Sequence, residues 1–146
     1  MTVKEKLLND YKSAVVEKNL IKKETLQICR AAVLQVEKDR KIILSDDDVI
    51  DILFKEFKKR AEAIEEMGNR TDVIDKYRSE MAVIEEYLPK QLTEDEILAI
   101  VKETIEQIGA ASIKDMGKVM QSLQPKLKGK ADGKLVNNLV KSQLMS

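Results

Sequence analysis

Apolar residues recur along this chain at three- and four-residue intervals, and the breaks in that rhythm mark its elements. Val3, Leu7, Leu8, Tyr11, Ala14 and Val15 share one face with lysines and acids opposite, which predicts an amphipathic helix of about four turns. A second helix is expected from about Lys22 to Lys38, with Leu26, Cys29, Val33 and Val36 on one stripe and Ile28, Ala31 and Ala32 broadening it. A third opens at Ser45, whose hydroxyl can accept a backbone donor while Asp48 sits in the first turn. Its apolar positions Ile50, Leu53, Phe54, Phe57, Ala61 and Ile64 keep a 3.6 period, and Gly68 supplies a left-handed cap. The fourth, from about Thr71, spaces Ile74, Tyr77, Met81, Ile84 and Leu88 as a seam for another helix, and Pro89 disfavours helical backbone at Leu88.

Beyond that break, Thr93 and Glu96 form a second capping pair for a helix bearing Ile97, Ile100, Val101, Ile105 and Ile108, closed by Gly109. Ser112 with Asp115 opens a shorter helix carrying Met116, Val119, Met120 and Leu123, expected to stop before Pro125. Asp132 can cap the last helix, whose face is Leu135, Val136, Leu139, Val140 and Leu144. No alternating strand pattern of useful length occurs. The expectation is an all-α chain with a four-helix N-terminal domain, 1–90, and a small three-helix C-terminal domain, 91–146, divided at the Leu88 to Leu92 junction.

Composition narrows the chemistry. In 146 residues, 43% apolar and 36% charged, there is enough hydrophobic material for a core and too little cysteine for a disulfide framework. The 26 basic and 26 acidic side chains cancel, so attraction to a polyanion has to come from a local patch. The single Cys29, the charged first residues and the lack of a long uncharged apolar run point to a cytoplasmic protein that neither spans nor binds a membrane. With no histidine, Ser-His-Asp and Cys-His sites are excluded and zinc sites lack ligands. Cys29 reads as core. Asp46, Asp47, Asp48 and Asp51 read as dipole-favoured acids at a helix start, and Lys58-Lys59-Arg60 as the exposed side of the third helix. No catalytic residue, metal site or cofactor is expected.

Charge is uneven at a finer scale. Residues 93–106 hold one lysine against five acids, whereas 107–146 hold seven lysines against Asp115 and Asp132. The stretch from Lys126 to Lys134 combines lysines, glycines and a helix start, an arrangement in which open backbone and positive charge can meet a phosphate. The alternative is a solvated turn before a capped helix, since Asp132 competes for the same amides. The stretch is not a Walker sequence, so nucleotide hydrolysis is not implied.

Three segments together resemble the GatB/YqeY family, most closely its free-standing YqeY-like members. They are Tyr87-Leu88-Pro89-Lys90-Gln91-Leu92, Gly109-Ala110-Ala111-Ser112 running into Lys114-Asp115-Met116-Gly117-Lys118-Val119-Met120, and Lys128-Gly129-Lys130-Ala131-Asp132-Gly133-Lys134-Leu135-Val136-Asn137. The resemblance covers essentially the whole chain. It implies an all-helical fold like the C-terminal tail of the B subunit of the tRNA-dependent amidotransferase, a tail that recognises tRNA away from the chemistry. The cradle domain and amidase subunit that carry amide transfer there have no counterpart in this sequence.

The expected function is therefore binding of tRNA, or of an RNA-containing complex, without catalysis. Lys114, Lys118, Lys128, Lys130 and Lys134 are the expected phosphate contacts, with Gly129 and Gly133 permitting close approach. Residues 93–146 contain no aromatic side chain, so base stacking is not available there. The rival expectation is a protein interaction module that docks an amidotransferase or aminoacyl-tRNA synthetase component. Participation in carbon–nitrogen ligation with glutamine as amide donor ranks last, because no nucleophile with a base can be named.

Overall fold

The computed structural model describes residues 1–145, and every regular element among them is helical. Backbone contacts divide the chain into two compact units, Met1–Leu88 and Pro89–Ser146.

In the first unit, α1 (Val3–Glu17) starts with a reciprocal cap: Thr2 Oγ1 accepts the Glu5 N–H at 3.1 Å, and Glu5 accepts the Thr2 N–H at 3.2 Å. The sequence reading missed this box, although Thr2 and Glu5 have the required spacing. Asn19 caps α2 (Leu20–Arg40), and Ser45 caps α3 (Asp46–Glu66) with its hydroxyl accepting from the Asp48 N–H. Gly68 follows α3 with a φ of +60°, the left-handed conformation that glycine adopts without steric cost. The last helix of this unit is α4 (Thr71–Glu85). It ends before Leu88: the Tyr87 and Leu88 N–H groups bond back to Ile84 and Glu85 in a tightened turn that delivers the chain to Pro89. The core centres on Leu7, Leu26, Cys29, Val33, Leu53 and Ile84.

Two expectations for this unit are corrected by its packing. Ile28 and Ala31 do not broaden the buried stripe of α2; both are exposed, because α1, α3 and α4 cover only the side defined by Leu26, Cys29 and Val33. Nor is Arg60 part of an exposed basic run. It is buried, its Nε donating to Glu80 of α4 at 2.9 Å and its Nη1 to the Glu56 carbonyl at 2.9 Å, while Lys59 stays in solvent. A buried guanidinium persists here because a carboxylate and a carbonyl satisfy it.

The second unit opens with Thr93 and Glu96 forming the anticipated capping box of α5 (Glu94–Ile108), which Gly109 closes at a φ of +74°. A 3-10 turn, Ile113–Asp115, leads into α6 (Met116–Leu127), and α7 (Gly133–Met145) completes the unit. Ile97, Val101, Val119, Leu123, Val136 and Val140 fill its core. The sixth helix does not stop before Pro125 but continues to Leu127. Proline in the last turn loses one backbone bond, and carrying the helix onward buries Leu127 with Leu123 and Val119, which offsets that loss by about 1.5–3 kcal/mol.

Candidate nucleic-acid interface

The lysines singled out by the sequence occupy the two ends of α6. At its start, Ser112 Oγ accepts the Lys114 N–H at 3.3 Å, and the Asp115 carboxylate accepts the Ala111 N–H at 3.0 Å. That bond to Ala111 holds the Asp115 carboxyl below its usual range, with the charge of Lys118 adding to the effect. Lys114 and Lys118 are exposed, four positions apart across the junction of the 3-10 turn with α6.

At the other end, several backbone bonds hold 128–132 in a turn. The Lys128 N–H bonds to Gln124 and the Lys130 N–H to Leu127, each at 2.9 Å. Gly129 is buried with a φ of +75°, and its carbonyl accepts from Gln91 Nε2 at 2.7 Å. The Lys130 carbonyl accepts the Leu92 N–H at 2.9 Å. Asp132 turns back on the start of α7, its carboxylate accepting the Lys134 N–H at 2.9 Å. Three consequences follow. Gly129 serves the left-handed turn from beneath the surface. One amide of the α7 N-terminus is already committed to Asp132. The side chains of Lys128, Lys130 and Lys134, all exposed, are what this end presents to solvent.

Gly133 is different from Gly129. It is exposed at the first position of α7, and a Cβ built there meets nothing within 4 Å, so its surroundings are open to an approaching group. The helical rise of about 1.5 Å per residue separates Lys118 from Lys128 by about 15 Å along α6. The expected residues therefore form two groups, Lys114 with Lys118 and Lys128 with Lys130 and Lys134.

The structure adds Gln91 to this feature and draws Lys126 away from it. Gln91 bonds both the Pro89 carbonyl, at 3.0 Å, and the Gly129 carbonyl, so the Pro89 to Leu92 segment and the Lys128 to Lys134 segment are one structural feature. Their shared register is invisible in one dimension. Lys126, counted with the other lysines in the segment, instead directs its Nζ to Thr104 Oγ1 of α5 at 3.1 Å, and the Thr104 hydroxyl bonds the Ile100 carbonyl. Among the described residues, no cluster of histidine, cysteine or carboxylate side chains has metal-holding geometry, and no helix is long and apolar enough to cross a membrane.

Comparison with known proteins extends over this whole architecture. The chain is 32% identical over 152 aligned positions to the E subunit of the glutamyl-tRNA(Gln) amidotransferase of Thermococcus gammatolerans, covering 96% of this chain and 24% of that one. It thus spans about a quarter of that relative. It is 28% identical over 130 residues to altered inheritance of mitochondria protein 41, mitochondrial, of Pyrenophora tritici-repentis, covering 86% of this chain and 71% of that protein. The family described as Yqey-like protein matches residues 4–144, from the second residue of α1 to Leu144 in α7. With both helical units inside that match, the chain belongs to the YqeY family.

Proposed function

We propose that this protein is a non-catalytic, cytoplasmic RNA-binding accessory factor, made of two separately folding domains of four and three helices, whose ligand is tRNA or an RNA-containing complex. The observation that carries the reading is the presentation of exposed lysines at both ends of α6, in a unit with no aromatic residue in 93–146. Charge without stacking surfaces suits backbone phosphates recognised by shape. The two lysine groups lie farther apart than the screening length of about 8 Å, so each addresses its own stretch of backbone. The name of the Thermococcus relative, part of an amidotransferase named for glutamyl-tRNA(Gln), supplies the choice of tRNA among RNAs. The mitochondrial name of the Pyrenophora relative leaves the cytoplasmic assignment to be tested by localisation of a tagged chain.

The contacts assigned are Lys114, Lys118, Lys128, Lys130 and Lys134, with Gly133 giving room for a phosphate at the start of α7. Gly129 is given the turn alone. Filter binding with total tRNA across a salt series tests this. Each phosphate contact contributes about 0.7–0.9 to the slope of log affinity against log salt, so alanine at Lys128, Lys130 and Lys134 flattens the slope by roughly two units. Lys12, Lys76 and Arg78, exposed in the first unit, are the control set. Lys4 and Lys6 are unsuitable controls, since Lys4 pairs with Glu37 at 2.8 Å and Lys6 lies 4.8 Å from the Tyr87 ring centroid. Equal effects from the two triple variants overturn the assignment, and partners retained after nuclease treatment transfer the function to protein docking.

A further inference from the structure

The outward face of α2 has an internal symmetry that its packing leaves uncovered. Most of the large apolar side chains exposed among the described residues precede Leu44, with Ile108, Ile113 and Met145 the exceptions. On α2 the exposed ones are Leu20 and Ile21 in its first turn and, in its middle, Ile28 at 46% and Leu34 at 49%. Ala31, also exposed, stands midway between them. Counting outward from Ala31, three positions either way gives Ile28 and Leu34, four gives Gln27 and Gln35, and seven gives Glu24 and Lys38. All six are exposed, and three, four and seven are the steps that return to one side of a helix.

We infer that this face is a self-association surface, on which the α2 of a second copy lies antiparallel about a two-fold axis through Ala31. Reversing one helix on the other brings Ile28 level with the second copy's Leu34, Gln27 with its Gln35, and Glu24 with its Lys38. Each match occurs twice, as an isologous contact requires. The pairs are apolar with apolar, amide with amide, and acid with base. The small Ala31 lets the two backbones approach at the axis, and opposed helix directions set each macrodipole against the other. A parallel pairing would put Glu24 against Glu24 and Lys38 against Lys38. With a net charge of +0, two copies do not repel each other as wholes. The strip from Glu24 to Lys38 runs about 21 Å along α2 at its helical rise, and the exposed Leu20, three turns before Ala31 on the same helix, adds to it toward the roughly 800 Å² per partner of a stable interface. The lysines assigned to RNA lie in the other unit, so this surface stands or falls independently of that reading.

Sedimentation equilibrium on the full-length chain, without RNA, is the test. A concentration-dependent dimer is expected, weakened at least about tenfold by Ala31→Glu, which places two like charges on the axis. Glu24→Lys and Lys38→Glu should each weaken it several-fold, and combining them should restore wild-type association. Ala31→Cys should form an intermolecular disulfide on mild oxidation, since the position faces its own copy and the buried Cys29 does not compete. The substituted positions are exposed, so unchanged helical circular dichroism certifies the fold. A monomer at every concentration up to the millimolar range overturns the inference, as does a dimer indifferent to Ala31→Glu or a double reversal that fails to restore it.

Discussion

Arg60 and Glu80 form an ion pair at 2.9 Å that joins α3 to α4 with both side chains only 9% exposed. Their value to the fold is asymmetric. Removing one partner leaves a buried charge without compensation, so Glu80→Ala is expected to destabilise the protein by about 3–5 kcal/mol in urea unfolding. Replacing both with apolar residues of similar volume should cost far less. The exposed Lys55–Asp51 pair, at 3.3 Å on α3, is the contrast: Lys55→Ala should change stability by less than about 1 kcal/mol. Equal losses from Glu80→Ala and Lys55→Ala would contradict the burial argument.

Cys29 lies beside this pair on α2 and is fully buried. Burial pushes its thiol up to about 12, Glu56 and Glu80 push the same way, and Arg60 works against them. The native protein should therefore resist alkylation by iodoacetamide at pH 8, with labelling appearing in step with urea unfolding. Rapid stoichiometric labelling of folded protein would show the core open at this point.

The two glycines of the lysine-rich turn should separate in their effects. Gly129 is left-handed, where any other residue costs about 1–2 kcal/mol, so Gly129→Ala should destabilise by that amount. Gly133→Ala meets open space at the start of α7 and should be neutral or slightly stabilising. Measured against tRNA, Gly133→Ala reports directly on close phosphate approach at that helix start. An intact affinity assigns the contact to lysine side chains alone.

Glu37 accepts from Lys4 and from the Leu44 N–H, and the hydrogen bond from Lys4 is the main reason its carboxyl sits below the usual range. A folded value lower than the unfolded one means this contribution is complete above glutamate's ordinary 4.5 and is lost as pH falls through the depressed folded value. Glu37→Gln should therefore narrow the stability difference between pH 7 and pH 3. An unchanged pH profile would remove Glu37 from the acid response.

The domain proposal predicts that limited proteolysis cuts between Leu88 and Leu92, since α4 has ended and α5 has not begun there. The fragment from Pro89 onward should retain helical circular dichroism, though a core of this size is marginal. Cleavage confined to 40–45 or 124–130 would place the boundary elsewhere.

Local physics wrote the helices into the sequence. Ser45, Thr93 and Asp132 cap where an oxygen is needed for an orphan amide, Gly68 and Gly109 take left-handed backbone, and the 3.6-residue rhythm names the faces that meet the core. These depend on a residue and its neighbours within a turn or two, so one dimension suffices. What the sequence by itself left undecided depends on which surface packs against which. Arg60 reads as one more charge in a basic run until Glu80 is brought to it across twenty residues. Ile28 and Ala31 read as core until three neighbouring helices cover only the opposite side of α2. Pro125 reads as a stop until burial of Leu127 outweighs the bond it loses. The lysines near the end of the chain read as one patch until the length of α6 divides them and Thr104 draws Lys126 away. Periodicity tells which residues of a helix lie together, but only the packed neighbours determine which of those faces is left to water.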